Sequence, residues 1–317
     1  RVLFRSAMVD CIVTVCGIIR DWKFQAARVF LEELSLSHGE VETKIQGMMP
    51  TDFEVYVEER KRELGGKLWS FKGSPLCLCQ KIGQKTEIIG GFWEFTSWLA
   101  SEHKFVVKKS TFPLFRSLAV SQYKKHLALT KHTFVKLSFS SKETAQRSKE
   151  AVTGAVLIEL FDEMLPNATS HFAKICEGAT ELFSTDGSAA VSNQASFGGC
   201  PVHRVVPGAW MQCGDLMTGS GASSVTVDGN WVSDECYSIA HDRSGLVGLA
   251  NQGPHTNSSQ FYITFAPLPS FDGKYQVIGR VVEGMRTLRM INKCQTLNER
   301  PLSLQVSDSS VLDIEEL

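Results

Sequence analysis

No two of the nine cysteines are spaced as Cys-x-x-Cys, and their number is odd. That sets aside a zinc site, a dithiol redox motif and a disulfide framework, and leaves buried, reduced thiols of a cytoplasmic protein as the reading. Long hydrophobic runs are also missing. The longest, near Cys11 to Ile19, is too short to span a bilayer and has Asp10 at its start. No targeting signal is visible, although the chain opens on Arg1 rather than Met. Nor is there a block of like charge: Lys and Arg number 33 against 34 Asp and Glu, for a formal net charge of −1. Neither a nucleic-acid groove nor an anionic membrane surface is predicted, and no metal or cofactor is expected. What remains is the composition of a globular protein whose 317 residues can hold two domains.

The first of these begins with a β-branched strand, Cys11 to Gly17, of the kind buried in a parallel sheet. Phe24, Ala27, Leu31 and Leu34 then recur at helical spacing, and Val41 to Gln46 alternates as a strand. Thr51 with Glu54 reads as a capping box before a second helix ending near Leu64. Short strands follow at Leu76 to Cys79 and Thr86 to Ile89, then Gly90, Gly91 and a helix bearing Phe92, Phe95 and Leu99. This order, with Ser74-Pro75 ahead of the third strand and Gly90-Gly91 ahead of the last helix, resembles the thioredoxin fold and, in detail, a glutaredoxin. The resemblance implies a cis bond at Pro75. Arg20 to Phe24 fill the position of the redox loop and supply no thiol, so the domain reads as redox-dead. An adaptor surface is favoured over residual glutathione-like binding, because Phe92, Trp93 and Glu94 follow the paired glycines.

From Glu102 to Lys131 basic residues mix with Phe105, Phe112, Phe115 and Tyr123. The stretch reads as a linker with one helix near Leu114 to Leu127. A single-stranded RNA patch is the alternative, but no aromatic platform accompanies it. Alternating strands follow at Thr133 to Phe139 and Ala155 to Phe161, and Pro166 opens a helix. Two polar insertions, Ser140 to Thr153 and Ser184 to Ser196, are expected to be mobile unless a partner holds them. A last helix near Gly284 to Cys294 and a last strand near Leu302 to Ile314 complete the chain.

The densest pattern lies between. Val202 to Gly214 delivers Arg204 beside a Pro-Gly turn, Gly248 to Phe261 runs Gly-Leu-Ala-Asn-Gln-Gly-Pro-His-Thr-Asn-Ser-Ser-Gln-Phe, and Phe271-Asp272-Gly273-Lys274-Tyr275 follows. Together these resemble the cyclophilin family of peptidyl-prolyl cis-trans isomerases, without a gap from about Val202 to Met290. The resemblance implies a closed eight-stranded antiparallel β-barrel with capping helices. The expected architecture is therefore an α/β thioredoxin-like domain over residues 1–105, a basic linker with a short helix over 106–131, and a cyclophilin-like domain over 132–317.

Isomerising an X-Pro bond breaks amide resonance over a barrier of roughly 18–20 kcal/mol and cleaves nothing, so no nucleophile is needed. A fixed guanidinium aimed at the proline nitrogen favours the twisted state. By resemblance that group is Arg204, with Gln212, Ala250 and the backbone near Asn251 holding the peptide. The ring pocket would involve Ala209, Trp210, Tyr262, Phe271 and Tyr275. Here the chain departs from its family: Ala209 replaces a usual Phe, Trp210 a Met, Tyr262 a Phe, Ser270 a Trp, Phe271 a Leu, and Tyr275 a variable His. Loss of a ring at Ala209 and Ser270 is expected to open the pocket, unless Trp210 swings in and refills the space. Two readings result, an active isomerase using Arg204 and a weak or inactive module that binds proline-containing loops of partner proteins. The second is favoured, because both domains keep fold signatures while losing active-site residues. A place in a large assembly, cytoskeletal or ciliary in kind, is the matching expectation.

Overall fold

A computed structural model describes residues 9–107, 111–141, 152–184 and 191–317, the side chains of 191–194 excepted. The chain falls into two compact units, Arg1–Thr130 with Ile314–Leu317, and Lys131–Asp313.

In the first unit β1 (Cys11–Ile18) leads through α1 (Trp22–Ser37) to β2 (Val41–Met48). Then come α2 (Pro50–Leu64), β3 (Leu76–Lys81), β4 (Glu87–Gly90), α3 (Phe92–His103) and α4 (Phe112–Thr130). The sheet order is β2-β1-β3-β4. The pair β1–β2 is parallel, which requires a crossover, and α1 provides it; β3 and β4 join antiparallel. Val13, Val15 and Cys77 are fully buried, as a strand covered on both faces demands. Asp21, in the segment without redox thiols, caps α1 by accepting from the Lys23 N–H at 3.0 Å. The Ser74–Pro75 bond is cis.

Two expectations for this half need correction. Thr51 and Glu54 do not open α2. Pro50 occupies its first turn, Met49 is the N-cap and makes no side-chain cap bond, and Thr51 already lies inside the helix. The supposed linker is also no linker. After residues 108–110, which lie outside the described set, α4 runs 19 residues and buries Phe115, Ala119, Tyr123 and Leu127. Phe115 meets Phe30 of α1 edge-on at 5.5 Å and Phe112 meets Trp22 at 5.2 Å. Phe112, Phe115, Ala119 and Tyr123 make one apolar stripe at helical spacing that α1 meets through Trp22 and Phe30, and Phe105, ahead of α4, packs on Phe30 at 5.8 Å.

The second unit opens with β5 (Phe134–Ser141), β6 (Thr153–Leu160) and α5 (Pro166–Glu177). A hairpin follows, β7 (Ala179–Ser184) and β8 (Val191–Ala195), and then β9 (Arg204–Val206), β10 (Trp210–Cys213) and β11 (Val225–Thr226). Next are β12 (Leu246–Leu249), β13 (Phe261–Thr264), β14 (Val277–Glu283) and α6 (Met285–Asn292). The short strands β15 (Thr296–Leu297) and β16 (Arg300–Pro301) precede β17 (Leu304–Val311). Eight antiparallel strands form one sheet in the order β17-β5-β6-β14-β12-β13-β10-β9. Its concave side holds Phe172, Phe197 and Phe261, with ring centroids 5.0–5.2 Å apart.

The sheet is an open half-barrel and not the closed barrel expected: no ladder joins β9 to β17. The residues ahead of β9 reach across instead, with Gly199 N donating to Val306 O, Val306 N to Cys200 O and Val202 N to Leu304 O. β9 is only three residues long, and at its outer edge Val205 N donates to Glu299 O instead of to the terminal strand. The second polar insertion is likewise shorter than expected, because β8 pairs with β7 as a strand. Residues 185–190, and 142–151 of the first insertion, lie outside the described residues. Among those described, no helix is long and apolar enough to cross a membrane, and no cluster of three His, Cys, Asp or Glu is arranged to hold a metal ion.

Candidate functional site

Register brings the site together. Across the sheet Arg204 pairs with Gln212, Gln212 with Tyr262, and Tyr262 with Gly248. Paired residues of an antiparallel ladder point to the same face, so four strands present one row. Gly248 has no room for a side chain, since an added Cβ would collide with the Tyr262 hydroxyl.

Arg204 is half exposed. Its Nε donates to Oε2 of Glu299 at 2.7 Å, and its guanidinium carbon lies 5.4 Å from the centre of the Trp210 ring. Trp210 in turn lies 5.0 Å from Phe271, which meets Tyr262 at 5.4 Å and Tyr275 at 4.8 Å. At a centroid distance of 5.0 Å two rings are already in contact, so no proline ring fits between Trp210 and Phe271. The expectation of an opened pocket is therefore corrected on this side. Ala209 and Ser270 contribute no ring, but Trp210 leans over the apolar wall. Ala209 serves the backbone, donating to Val206 O and accepting from Phe265 N, and Ser270 is exposed in a short turn.

The polar side of the row is held by residues that the motif reading passed over. Gln212 Nε2 donates to Gln260 Oε1 at 2.8 Å, and Gln260 Nε2 donates to the carbonyls of Ser223 and Gly221 at 2.7 and 3.1 Å. Those carbonyls belong to a loop wound about Asp215. The Asp215 carboxylate accepts from the backbone N–H groups of Met217, Thr218, Ser220, Gly221 and Ser223 and from the hydroxyls of Thr218 and Ser223. Burial alone would push its carboxyl up, but the bonds from Ser223, Thr218 and Gly221 outweigh that and hold it far below the usual carboxylate range. Ala250 N donates to Gln260 O at 2.9 Å, and Asn251 Nδ2 donates to Lys274 O at 2.9 Å. The sequence signal for Gln260 was its place in the run ending at Phe261; for Asp215 there was none.

Beneath the aromatic wall the buried His241 bridges two partners. Its Nδ1 lies 2.8 Å from Asp272 Oδ1, and its Nε2 lies 2.6 Å from the Tyr262 hydroxyl. The His241 N–H and ring hold the Asp272 carboxyl below its usual range, and with the ring proton on Nδ1, facing that carboxylate, Nε2 is the atom left to accept from the Tyr262 hydroxyl. Burial pushes the Tyr262 phenol well above its ordinary value. A phenylalanine at position 262 could not serve here.

Residues 145–311 match the model of the cyclophilin type peptidyl-prolyl cis-trans isomerase family. Over 301 residues, 94% of this chain and 90% of the other, the sequence is 30% identical to a Mus musculus protein named "Probable inactive peptidyl-prolyl cis-trans isomerase-like 6". The Homo sapiens protein of the same name is 30% identical over 302 residues, again 94% and 90% of the two chains. Peptidyl-prolyl cis-trans isomerase D of Eremothecium gossypii is 35% identical over 150 residues, 47% of this chain and 40% of that one.

Proposed function

The chain belongs to the cyclophilin-type peptidyl-prolyl cis-trans isomerase family as a divergent member, and from that premise we propose that it binds proline-containing segments of partner proteins with little or no isomerase turnover. The observation that carries this reading is the state of Arg204. Its guanidinium is paired with Glu299 and laid over Trp210, when catalysis needs it aimed at a proline nitrogen in the twisted state. A misplacement of about 1 Å costs on the order of a hundredfold in rate. Trp210 packed on Phe271 closes the space between those two rings as well, so a bound proline lies on the aromatic surface and not within it.

The N-terminal unit joins this reading as a thioredoxin-like adaptor. Its β2-β1-β3-β4 order with one parallel pair supports the assignment, and Asp21 is engaged as a helix cap. The two insertions, Ser140 to Thr153 and Ser184 to Ser196, are proposed to contribute partner contacts within a larger assembly.

Catalysis is the test. The unaltered chain is expected to accelerate cis-trans exchange of an Ala-Pro peptide barely above the uncatalysed rate. Combining Ala209→Phe, Trp210→Met and Ser270→Trp should raise that rate about tenfold or more, the scale of roughly 1.4 kcal/mol of barrier. Adding Arg204→Ala should abolish the gain. An unaltered chain that turns over at a rate typical of its family refutes the binding-module reading.

A further inference from the structure

Glu299 sits where a two-residue hairpin loop joins β15 to β16. Thr296 pairs with Pro301 and Leu297 with Arg300, leaving Asn298 and Glu299 as the turn, with φ of 50° and 64°. Asn tolerates this left-handed region, whereas for Glu it is strained. Strained residues persist where the surroundings over-determine them, and here the surroundings are β9. Glu299 O accepts from Val205 N at 2.7 Å, while its Oε2 accepts from Arg204 Nε at 2.7 Å. Backbone and side chain thus dock one residue on the strand that carries the family's central cation.

The charges around the pair define what can enter. Arg204 and Glu299 have side chains exposed by 46% and 45%, so a ligand reaches both. Arg300, the other cation beside the turn, is turned away and donates to Ser220 O at 3.0 Å. Gln212, on the other flank of Arg204, is taken by Gln260. Only Nε of Arg204 is bonded to Glu299, and a neutral peptide whose carbonyl pulls the guanidinium off that bond leaves the Glu299 carboxylate without its partner. A peptide with a basic side chain replaces the lost partner as it enters, and the exchange conserves one ion pair.

Resting on the reading of this groove as a proline-segment site, we propose that Glu299 makes it selective for proline segments flanked by Lys or Arg. The basic side chain takes the carboxylate, and Arg204, released from Glu299, takes the peptide carbonyl. Glu299 is then a specificity-determining residue, and toward neutral proline peptides it acts as a built-in competitor.

The experiment titrates the full chain with two Ala-Pro peptides, one flanked by Lys on each side and its twin flanked by Gln, following both affinity and cis-trans exchange by NMR. The unaltered chain is expected to bind the Lys-flanked peptide at least tenfold more tightly. In Glu299→Gln the two affinities should converge, with the Gln-flanked peptide gaining. Glu299→Gly should do the same, and since glycine accepts a φ of 64° without strain, this variant guards against misfolding as a cause. A preference that survives in both variants, or a Gln-flanked peptide that gains nothing in either, overturns the proposal. Rapid exchange catalysed by the unaltered chain would instead refute the low-turnover reading and leave the ratio of affinities to decide this one.

Discussion

At the scale of single residues, Asp215 shows how the site depends on groups with no chemical part in it. It accepts the N–H groups of one loop, that loop presents two carbonyls to Gln260, and Gln260 orients Gln212. Asp215→Ala strands several donors around a buried position and is expected to cost about 2–4 kcal/mol in urea unfolding. Since the folded carboxyl titrates below its unfolded value, this contribution is fully present above about pH 4 and is lost as pH falls through the folded value. Unfolding at pH 7 and at pH 3 should therefore differ more in the unaltered chain than in Asp215→Asn. Equal pH dependence of the two would count against the carboxylate as the organiser.

Among elements, α4 is the one whose role changes most between sequence and structure. Phe115 is 8% exposed and lies in the core of the first unit, so Phe115→Ala should cost about 3–5 kcal/mol. A substitution in a true linker would cost almost nothing, and a shift in the urea midpoint separates the two. The strands were legible because period-two and continuous apolar patterns survive in one dimension, and Arg204, Gln212 and Tyr262 were legible through motif spacing. The stripe of α4 was obscured by the lysines sharing its turns. The hairpin carrying Glu299 was invisible for a different reason: it lies 95 residues from Arg204 in sequence, and nothing in Thr-Leu-Asn-Glu-Arg-Pro announces which strand it will meet. Barrel closure failed as an expectation because the outer edge of β9 bonds to Glu299, a neighbour that no local pattern records.

For the whole molecule, thiol chemistry distinguishes a redox protein from a scaffold. In the first unit burial pushes the Cys11, Cys16 and Cys77 thiols up and Cys79 up to about 11. Cys236, in the second unit, is partly exposed, and the hydroxyl and N–H of Ser238 lower its value. Reactivity follows thiolate fraction and access. Ellman's reagent at neutral pH should accordingly label Cys236 first, leave the thiols of the first unit unreacted until the chain unfolds, and find no reduction of a mixed disulfide by the native chain. Fast labelling at Cys77 or Cys79 would contradict the burial of these thiols.

The contact between Tyr262 and His241 also ties the two positions to each other. Returning position 262 to phenylalanine strips the buried Nε2 of its donor, while replacing His241 first leaves a buried hydroxyl unpaired. Each single replacement is expected to lower stability, by about 1–3 kcal/mol for the polar group left unpaired. The pocket floor is therefore locked by a mutual constraint: only a joint replacement, such as Tyr262→Phe with His241→Leu, removes the hydrogen bond without leaving a buried polar group unpaired.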